Sequence, residues 1–383
     1  MKTEIKFKSI EKNENEISVY NPGYNHNDCI KLGQFRGTML GLALGDILGM
    51  PVEGWKKEQI QEHVGKITFP IDPVLLYDYD GRLITQDKFG RLKYYTKDLK
   101  LGQYTDDTIL SKALAESLVA EKGFNLSDIA ARQAAEYTKR LLPDGSVLGG
   151  FGRTTADAFK QLLKGVPPLS SGVIGGPGNA PAMKMAPLGL YIAASDESSP
   201  KYGNKYNLGL EQAELVGRMT HLDPRSVVSG VVQMQAIYAL IKGCDRDEFI
   251  NSCLEVCLEK EKPVSDQYTL WRSGSLGDRL KWIKSNKDAK IEDAHLVLGS
   301  DSNVFCSYPF ALFMFQRYWD DPLEGLIETV NFGGDCDTTG SMYGALAGAK
   351  NGIIFPNEWL NVLEGKRELD SLGRDLYQLT EKV

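Results

Sequence analysis

Two short acidic segments, far apart in the chain, carry residue types that bind divalent cations. The first reads Gln-Tyr-Thr-Asp-Asp-Thr over residues 103–108, and the second reads Gly-Gly-Asp-Cys-Asp-Thr over residues 333–338. Adjacent carboxylates flanked by hydroxyls supply oxygen ligands, which hard cations such as Mg²⁺ prefer. A helix start is the other interpretation of the first segment, with Thr105 as N-cap and with Asp106 and Asp107 favoured by the helix dipole. The residues alone leave both interpretations open.

The second segment needs a particular backbone to act as a metal site. Asp335 and Asp337 would point in nearly opposite directions on a regular helix, so they converge on one ion only where a loop turns into a helix. The two preceding glycines permit such a turn. Because two metal ions usually share several carboxylates, we predict a two-ion site built from both acidic segments.

Glycines recur every fourth residue in two apolar segments, one near each acidic segment. They fall at residues 33, 37, 41, 45 and 49, and again at 340, 344 and 348. This spacing keeps the glycines on one helix face, where a second helix can approach closely. Arg36 and Asp46 within the first run exclude a membrane span. Each glycine costs up to about 1 kcal/mol relative to alanine, so the runs need a reason in packing or in a site. Close packing of the two helices would bring the acidic segments together.

Four other places in the chain are weaker candidates. Asp46 has the features of a capping or ion-paired residue, and Glu53, just after the first glycine run, has those of a solvated charge. Residues 173–184 form a Gly- and Pro-rich segment ahead of a predicted helix, where backbone N–H groups can bind an anion. A plain connecting loop is the alternative there. His221 lies between two predicted helices, and the residues leave a structural and a functional role open.

Composition restricts the class of protein. The 383 residues carry a net charge of -7, which argues against a general nucleic-acid binder. There is no run of 18 apolar residues and no apolar stretch in the charged N-terminal segment, so we expect no membrane span, no signal peptide and a cytoplasmic location. The six cysteines form no C-x-x-C pair, and with four histidines they favour buried thiols over a zinc site.

Helical periodicity dominates the chain. We predict an all-α protein, a compact single-domain orthogonal helical bundle with a dimetal site in a loop-lined cleft. Residues 1–29 are interpreted as an N-terminal extension, residues 30–383 as the helical domain, and residues 65–102 as a loop or hairpin insertion. Predicted helices after the first glycine run cover residues 107–121, 127–141, 152–164, 210–218, 226–242, 246–260, 276–285, 304–318, 321–330, 339–350 and 357–381.

Taken in order, the motifs resemble the ADP-ribosylglycohydrolase family. The matching stretches are GTMLGLALGDILGMPVE, QYTDDT, GGFGRTTADAFKQLLKG, GGPGNAPAMKMAPLGL, THLDPRS and NFGGDCDTTGSMYGALAGAKNG, which span residues 37 to about 352. The resemblance implies an all-α hydrolase with two Mg²⁺ (or Mn²⁺) ions, which removes ADP-ribose from a modified protein or small molecule by cleaving the bond at the anomeric carbon of the ribose. We expect a monomer.

The resemblance also implies roles for individual residues. The metal ligands would be Thr105, Asp106, Asp107, Asp335, Asp337 and Thr338. The catalytic carboxylates would be Glu53, Asp106 and Asp335. The diphosphate and the nucleotide would be bound by Gly175, Gly176, Gly178, Asn179 and His221.

This sequence departs from the family pattern in the glycine-rich loop. Ala180 and Pro181 follow Asn179 where the family commonly continues with glycine, and Lys184 stands where arginine is usual. We expect the diphosphate to depend on the backbone around Gly178, in a conformation that only glycine adopts easily, and Lys184 to be a solvent-screened contact at the rim. Two alternatives remain: a non-catalytic ADP-ribose-binding or structural relative, which would be expected to lose ligand Asp residues, and a dimetal hydrolase of another nucleotide or phosphate ester.

Overall fold

Seventeen α-helices make up most of residues 26–72, 99–197, 205–263 and 274–379, which are the parts that the computed structural model describes. Within these ranges β-structure is limited to isolated bridges. The prediction of an all-α chain is confirmed. Residues 1–25 of the predicted extension and residues 73–98 of the predicted insertion lie outside the described residues.

The helices are α1 (His26–Gly49), α2 (Lys57–His63), α3 (Asp106–Ala120), α4 (Leu126–Lys139), α5 (Arg153–Leu163), α6 (Ala180–Met183), α7 (Ala186–Glu197), α8 (Lys205–Arg218), α9 (Pro224–Ile241), α10 (Arg246–Lys260), α11 (Leu276–Ser285), α12 (Ile291–Leu298), α13 (Val304–Arg317), α14 (Pro322–Asn331), α15 (Cys336–Asn351), α16 (Asn357–Val362) and α17 (Lys366–Gln378). Short 3₁₀ turns lie at Met50–Val52 and Pro168–Ser170. None of the described helices is long and apolar enough to cross a membrane.

Helices α1 and α15 run antiparallel and touch through their glycines. A methyl group built on Gly45 would lie 2.0 Å from the carbonyl oxygen of Gly340, and one built on Gly41 would lie 2.2 Å from that of Gly344. Real side chains do not approach so closely, so each of these positions requires a hydrogen in place of Cβ. The predicted close packing of the two glycine runs is confirmed. This packing explains why glycine occupies these positions although it lowers the stability of a helix.

The end of α1 contacts the start of α15, beside the acidic residues. A methyl group on Gly49, the last residue of α1, would lie 2.2 Å from the carbonyl oxygen of Cys336, the first residue of α15. The Cys336 thiol also donates to the Gly49 carbonyl oxygen at 3.3 Å. Glu53, which follows the end of α1, therefore lies close to Asp335, where α15 begins.

Most predicted helices agree with the observed ones to within three residues, but one prediction is wrong. The segment 357–381 is interrupted between α16 and α17, where Gly365 has a φ of 66°. Three short or poorly patterned helices, α2, α6 and α12, were not predicted. Helix α9 is buried along almost its whole length and packs against α7, α8 and α10.

Substitution at the glycine contact should destabilise the protein strongly. Gly45→Ala places a methyl group against backbone, which cannot move aside as a side chain can, so we expect the free energy of unfolding to fall by about 3 kcal/mol or more. Gly33→Ala, on the same helix, is the matched control: none of the described atoms lies within 4 Å of its added methyl group. Alanine should stabilise α1 there by about 0.5–1 kcal/mol. Urea unfolding of both variants tests this, and equal effects would contradict it.

Candidate active site

A cleft with a volume of about 470 Å³ opens beside the start of α15. Its walls come from separate parts of the chain, namely Glu53, Asp106, Asp107, residues 150–155, residues 176–180, Met183, His221, Ser302, Asn303, Asp335, Asp337 and Thr338. Both acidic segments thus face one space. Of the predicted site residues, Thr105 lies behind this wall and is fully buried, and Gly175 packs toward Thr154.

Three carboxylates converge at the end of α1. One oxygen from each of Glu53, Asp335 and Asp337 lies within 4.8 Å of the other two, a spacing that suits one bound cation. Asp335 is the N-cap residue of α15 and Asp337 lies in its first turn, so the predicted change from loop to helix is what brings them together. Glu53 is held opposite by hydrogen bonds between its neighbours and the Gly333–Gly334 turn, such as the bond from Gly334 N to Trp55 O of 2.8 Å.

The first acidic segment joins this group through hydroxyls. The Thr338 hydroxyl donates to Asp107 Oδ2 at 3.2 Å, and the Thr105 hydroxyl lies 3.2 Å from the same oxygen. Residues 231 positions apart in sequence therefore share one carboxylate. The structure brings the two predicted ligand segments into direct contact.

Asp46 fixes the start of α3 from a neighbouring helix. Its carboxylate accepts the backbone N–H groups of Thr105 at 3.1 Å and Thr108 at 3.2 Å, and the hydroxyls of the same residues at 3.0 and 2.6 Å. Thr105 occupies the predicted N-cap position, but its side chain makes no capping hydrogen bond. The cap comes instead from Asp46 on α1. The capping interpretation of Asp46 is correct, with the helix that it caps 59 residues further along the chain.

The carboxylates are buried together, which raises their affinity for protons. Burial, followed by the neighbouring carboxylates, holds the pKa values of Asp106, Asp107 and Asp337 well above the usual range. Burial also raises the pKa of Asp46 to about 6. Among the described residues, none donates a hydrogen bond to the buried oxygen Asp107 Oδ1. A divalent cation would relieve both the mutual repulsion and this unsatisfied oxygen, so the donor set fits such an ion.

Asn179 contacts the acidic group rather than extending into open space. Its amide donates to Asp335 Oδ2 at 2.5 Å and to the Ser307 hydroxyl at 3.0 Å, and the residue is 8% exposed. Asn179 thus orients the carboxylate of Asp335.

The glycine-rich loop differs from the expected anion-binding turn. None of Gly175, Gly176 and Gly178 has a positive φ, and the Gly178 N–H donates to the Gly176 carbonyl oxygen at 2.8 Å. The expected left-handed conformation at Gly178 is therefore wrong. Glycine is required there for a different reason, because a methyl group on Gly178 would lie 2.9 Å from His221 Nε2. Gly176 borders the cleft, and no atom of the described residues lies within 4 Å of a methyl group built on it.

Lys184 is not a rim residue. It is fully buried, so the expectation of a solvent-screened contact is wrong. Burial lowers the pKa of its ammonium group to about 7. His221 lines the cleft and is 2% exposed.

One wall of the cleft was assigned no role from the sequence. Residues 150–155 lead into α5, and Gly150 has a φ of 85° that lets the chain pass close to Thr105 and Asp106. The Gly-Gly-Phe-Gly pattern ahead of a helix is the signal that could have identified this wall.

A family model described as ADP-ribosylglycohydrolase matches residues 30–383. The chain belongs to the ADP-ribosylglycohydrolase family. ADP-ribosylhydrolase ARH3 of Homo sapiens is 29% identical over 383 residues, covering 92% of this chain and 94% of that protein. The Mus musculus protein of the same name is 27% identical over 384 residues, covering 92% and 93%. A solved structure described as an ADP-ribosylglycohydrolase-related protein complex covers 92% of this chain and 99% of its own, at 24% identity and a TM-score of 0.58.

Membership in this family makes the chain a hydrolase. The family consists of metal-dependent enzymes that act on ADP-ribosylated substrates. The acidic group at the junction of α1 and α15 is a cluster that could bind such a metal. The solved structure supports the all-α fold alone.

The Asp46 cap should contribute measurably to stability. Thr108→Val removes the 2.6 Å hydroxyl bond to a buried carboxylate, and we expect the free energy of unfolding to fall by about 1.5–3 kcal/mol. Thr108→Ser retains a hydroxyl and is the matched control, with a clearly smaller loss. Chemical denaturation measures both, and similar losses in the two variants would show that the hydroxyl contributes little.

Proposed function

We propose that the chain is a hydrolase dependent on Mg²⁺ (or Mn²⁺) that releases ADP-ribose from a modified acceptor by cleaving the bond at the anomeric carbon of the ribose. The observation that carries this proposal is the contact between Thr338 and Asp107, which joins the acidic segments in one cleft. The acceptor is a protein side chain or a small molecule. The similarity to ADP-ribosylhydrolase ARH3 over most of both chains supports this substrate class.

Two ions would be held by residues from both acidic segments. The proposed ligands are Thr105, Asp106, Asp107, Asp335, Asp337 and Thr338. When bound, the ions would bind the ribose hydroxyls, orient a water molecule and stabilise negative charge. The protein prepares this set by burying carboxylates whose repulsion an ion relieves, while Asn179 orients Asp335 and Asp46 orients Thr105.

The proton would be transferred by a carboxylate of the cleft. Glu53 is the leading candidate because it contributes an oxygen to the acidic group and lines the cleft that the substrate would occupy. Asp106 and Asp335 are the other candidates. The segment that follows α1 holds Glu53 through the backbone bonds to the Gly333–Gly334 turn.

The nucleotide portion would extend along the opposite wall. Of the proposed binding residues, Gly176, Gly178, Asn179 and His221 line the cleft, whereas Gly175 lies outside the lining and packs toward Thr154. We propose that the diphosphate lies beside Gly176, where the described residues leave room for close approach. Asn179 would contribute to the site by orienting the carboxylate of Asp335.

Release of ADP-ribose from defined substrates tests the proposal. Purified protein is incubated with ADP-ribosylated arginine, ADP-ribosylated serine, ADP-ribosylated nucleic acid and O-acetyl-ADP-ribose, with Mg²⁺ and again after chelation. We expect free ADP-ribose from at least one substrate with Mg²⁺, and loss of release after chelation. Release of inorganic phosphate from a panel of phosphate esters instead would favour a different dimetal hydrolase, and binding without any release would favour a non-catalytic relative.

Asp337→Asn should separate metal binding from folding. The amide removes a negative charge from a buried, repelling group, so the metal-free variant should gain stability by on the order of 1 kcal/mol. It should also lose the Mg²⁺ binding that calorimetric titration detects in the unsubstituted protein. A variant that still binds Mg²⁺ with unchanged affinity would remove Asp337 from the ligand set.

Glu53→Gln tests proton transfer. We expect turnover to fall by roughly 10²–10⁴-fold while ADP-ribose affinity stays within severalfold, because the amide keeps the shape of the side chain but cannot exchange a proton. Steady-state kinetics and a calorimetric titration with ADP-ribose measure the two effects. A near-normal rate would exclude Glu53 from proton transfer, and a parallel loss of Mg²⁺ affinity would show that it is a metal ligand instead.

A further inference from the structure

A chain of buried polar side chains runs behind the His221 wall of the cleft. Lys184, at the end of α6, is fully buried, and its ammonium group lies 3.4 Å from Gln133 Oε1 and 3.3 Å from Thr220 Oγ1. Thr220 Oγ1 in turn lies 3.0 Å from His221 Nδ1. The proposed metal ligands and the proton-transfer candidates take no part in these contacts.

The direction of the hydrogen bonds follows from the donors. The Gln133 amide nitrogen donates to the Leu110 carbonyl oxygen at 3.0 Å, so its oxygen faces Lys184. A lysine ammonium group donates and cannot accept. Below its pKa of about 7, Lys184 is an ammonium group and therefore donates both to Gln133 and to the hydroxyl oxygen of Thr220.

The hydroxyl of Thr220 then has a single proton to donate. One acceptor is the Gly217 carbonyl oxygen at 3.4 Å, and the other is His221 Nδ1 at 3.0 Å. The shorter distance favours the histidine. The positive charge of the nearby Lys184 ammonium group also favours an unprotonated Nδ1 over a protonated one. If Nδ1 accepts, the ring proton of a neutral imidazole resides on Nε2.

His221 Nε2 points toward the loop that borders the cleft. It would lie 2.9 Å from a methyl group built on Gly178, and both residues line the cleft wall. We propose that Lys184, acting through Thr220, holds His221 as the Nε2–H tautomer, so that His221 donates a hydrogen bond to an oxygen or unprotonated nitrogen of the bound ADP-ribose. Lys184 and Thr220 are positioning residues, and His221 is the group that contacts the ligand. The ligand in this assignment rests on the proposed function.

The electrostatic environment keeps the ring neutral. Burial, followed by the charge of Lys184, lowers the pKa of His221 to about 3. A neutral ring has one N–H, so the identity of the protonated nitrogen decides whether His221 donates or accepts toward the cleft. Arginine at position 184 would offer a planar fork in place of a point charge, so the usual family residue would not make this contact in the same way.

The tautomer can be measured on the full chain without any ligand. Two-bond ¹H–¹⁵N spectra of ¹⁵N-histidine-labelled protein distinguish a protonated from an unprotonated ring nitrogen. The signals of His221 are assigned among the four histidines by their loss in His221→Gln. We expect the Nε2–H pattern in the unsubstituted protein and in Thr220→Ser, and a mixture of tautomers in Thr220→Val, which has the same shape as threonine without the hydroxyl. Lys184→Met should produce a similar mixture.

Binding of ADP-ribose completes the test. Calorimetric titration should give about tenfold weaker affinity for Thr220→Val, and affinity within about twofold of the unsubstituted protein for Thr220→Ser. An Nδ1–H pattern in the unsubstituted protein, or a Thr220→Val variant with unchanged tautomer and affinity, would overturn the inference. If the unsubstituted protein binds no ADP-ribose, the proposed function fails, while the spectra still decide whether the relay sets the tautomer.

Discussion

The contact between the backbones of α1 and α15 determines where every acidic residue of the cleft can lie. Side chains at the interface would hold the two helices apart, and the glycines on both remove that spacing. The end of α1 then reaches the start of α15, so Glu53 approaches Asp335 and Asp337. Asp46, one residue beyond the glycine at position 45, faces α3 instead and fixes the first acidic segment. One close helix pair thus positions residues from three parts of the chain.

The site that results combines carboxylates that repel one another with a surrounding set of hydrogen bonds that prevents them from separating. Thr338 and Asp107 are tied across the cleft, Asn179 is tied to Asp335, and the cap at Asp46 keeps α3 in place. Buried like charges are unfavourable without a counter-ion. A protein that keeps such a group rigid is prepared for a cation in advance, because little rearrangement is needed when the ion binds.

The sequence allowed the fold class, most helices and the meeting of the two acidic segments to be predicted, because fourfold glycine spacing and helical periodicity are local signals. The contacts of individual buried side chains are harder to predict from the sequence. The sequence analysis expects Lys184 at the rim, but it is buried through contacts with Gln133 of α4 and with Thr220, which follows α8. Likewise, the requirement for glycine at position 178 arises from His221 rather than from backbone conformation, and no pattern along the chain shows such a contact.

Capping α3 from another helix also has a consequence for the order of folding. The N-cap residue of α3 makes no capping hydrogen bond with its own side chain. The carboxylate that accepts the N–H groups of Thr105 and Thr108 belongs to Asp46, which lies 59 and 62 positions earlier in the chain. The first turn of α3 therefore gains its cap only when α1 has docked, whereas the later turns of α3 are closed by their own backbone bonds. Amide hydrogens at Thr105 and Thr108 should accordingly exchange with solvent at rates set by the separation of the two helices rather than by fraying of the helix end.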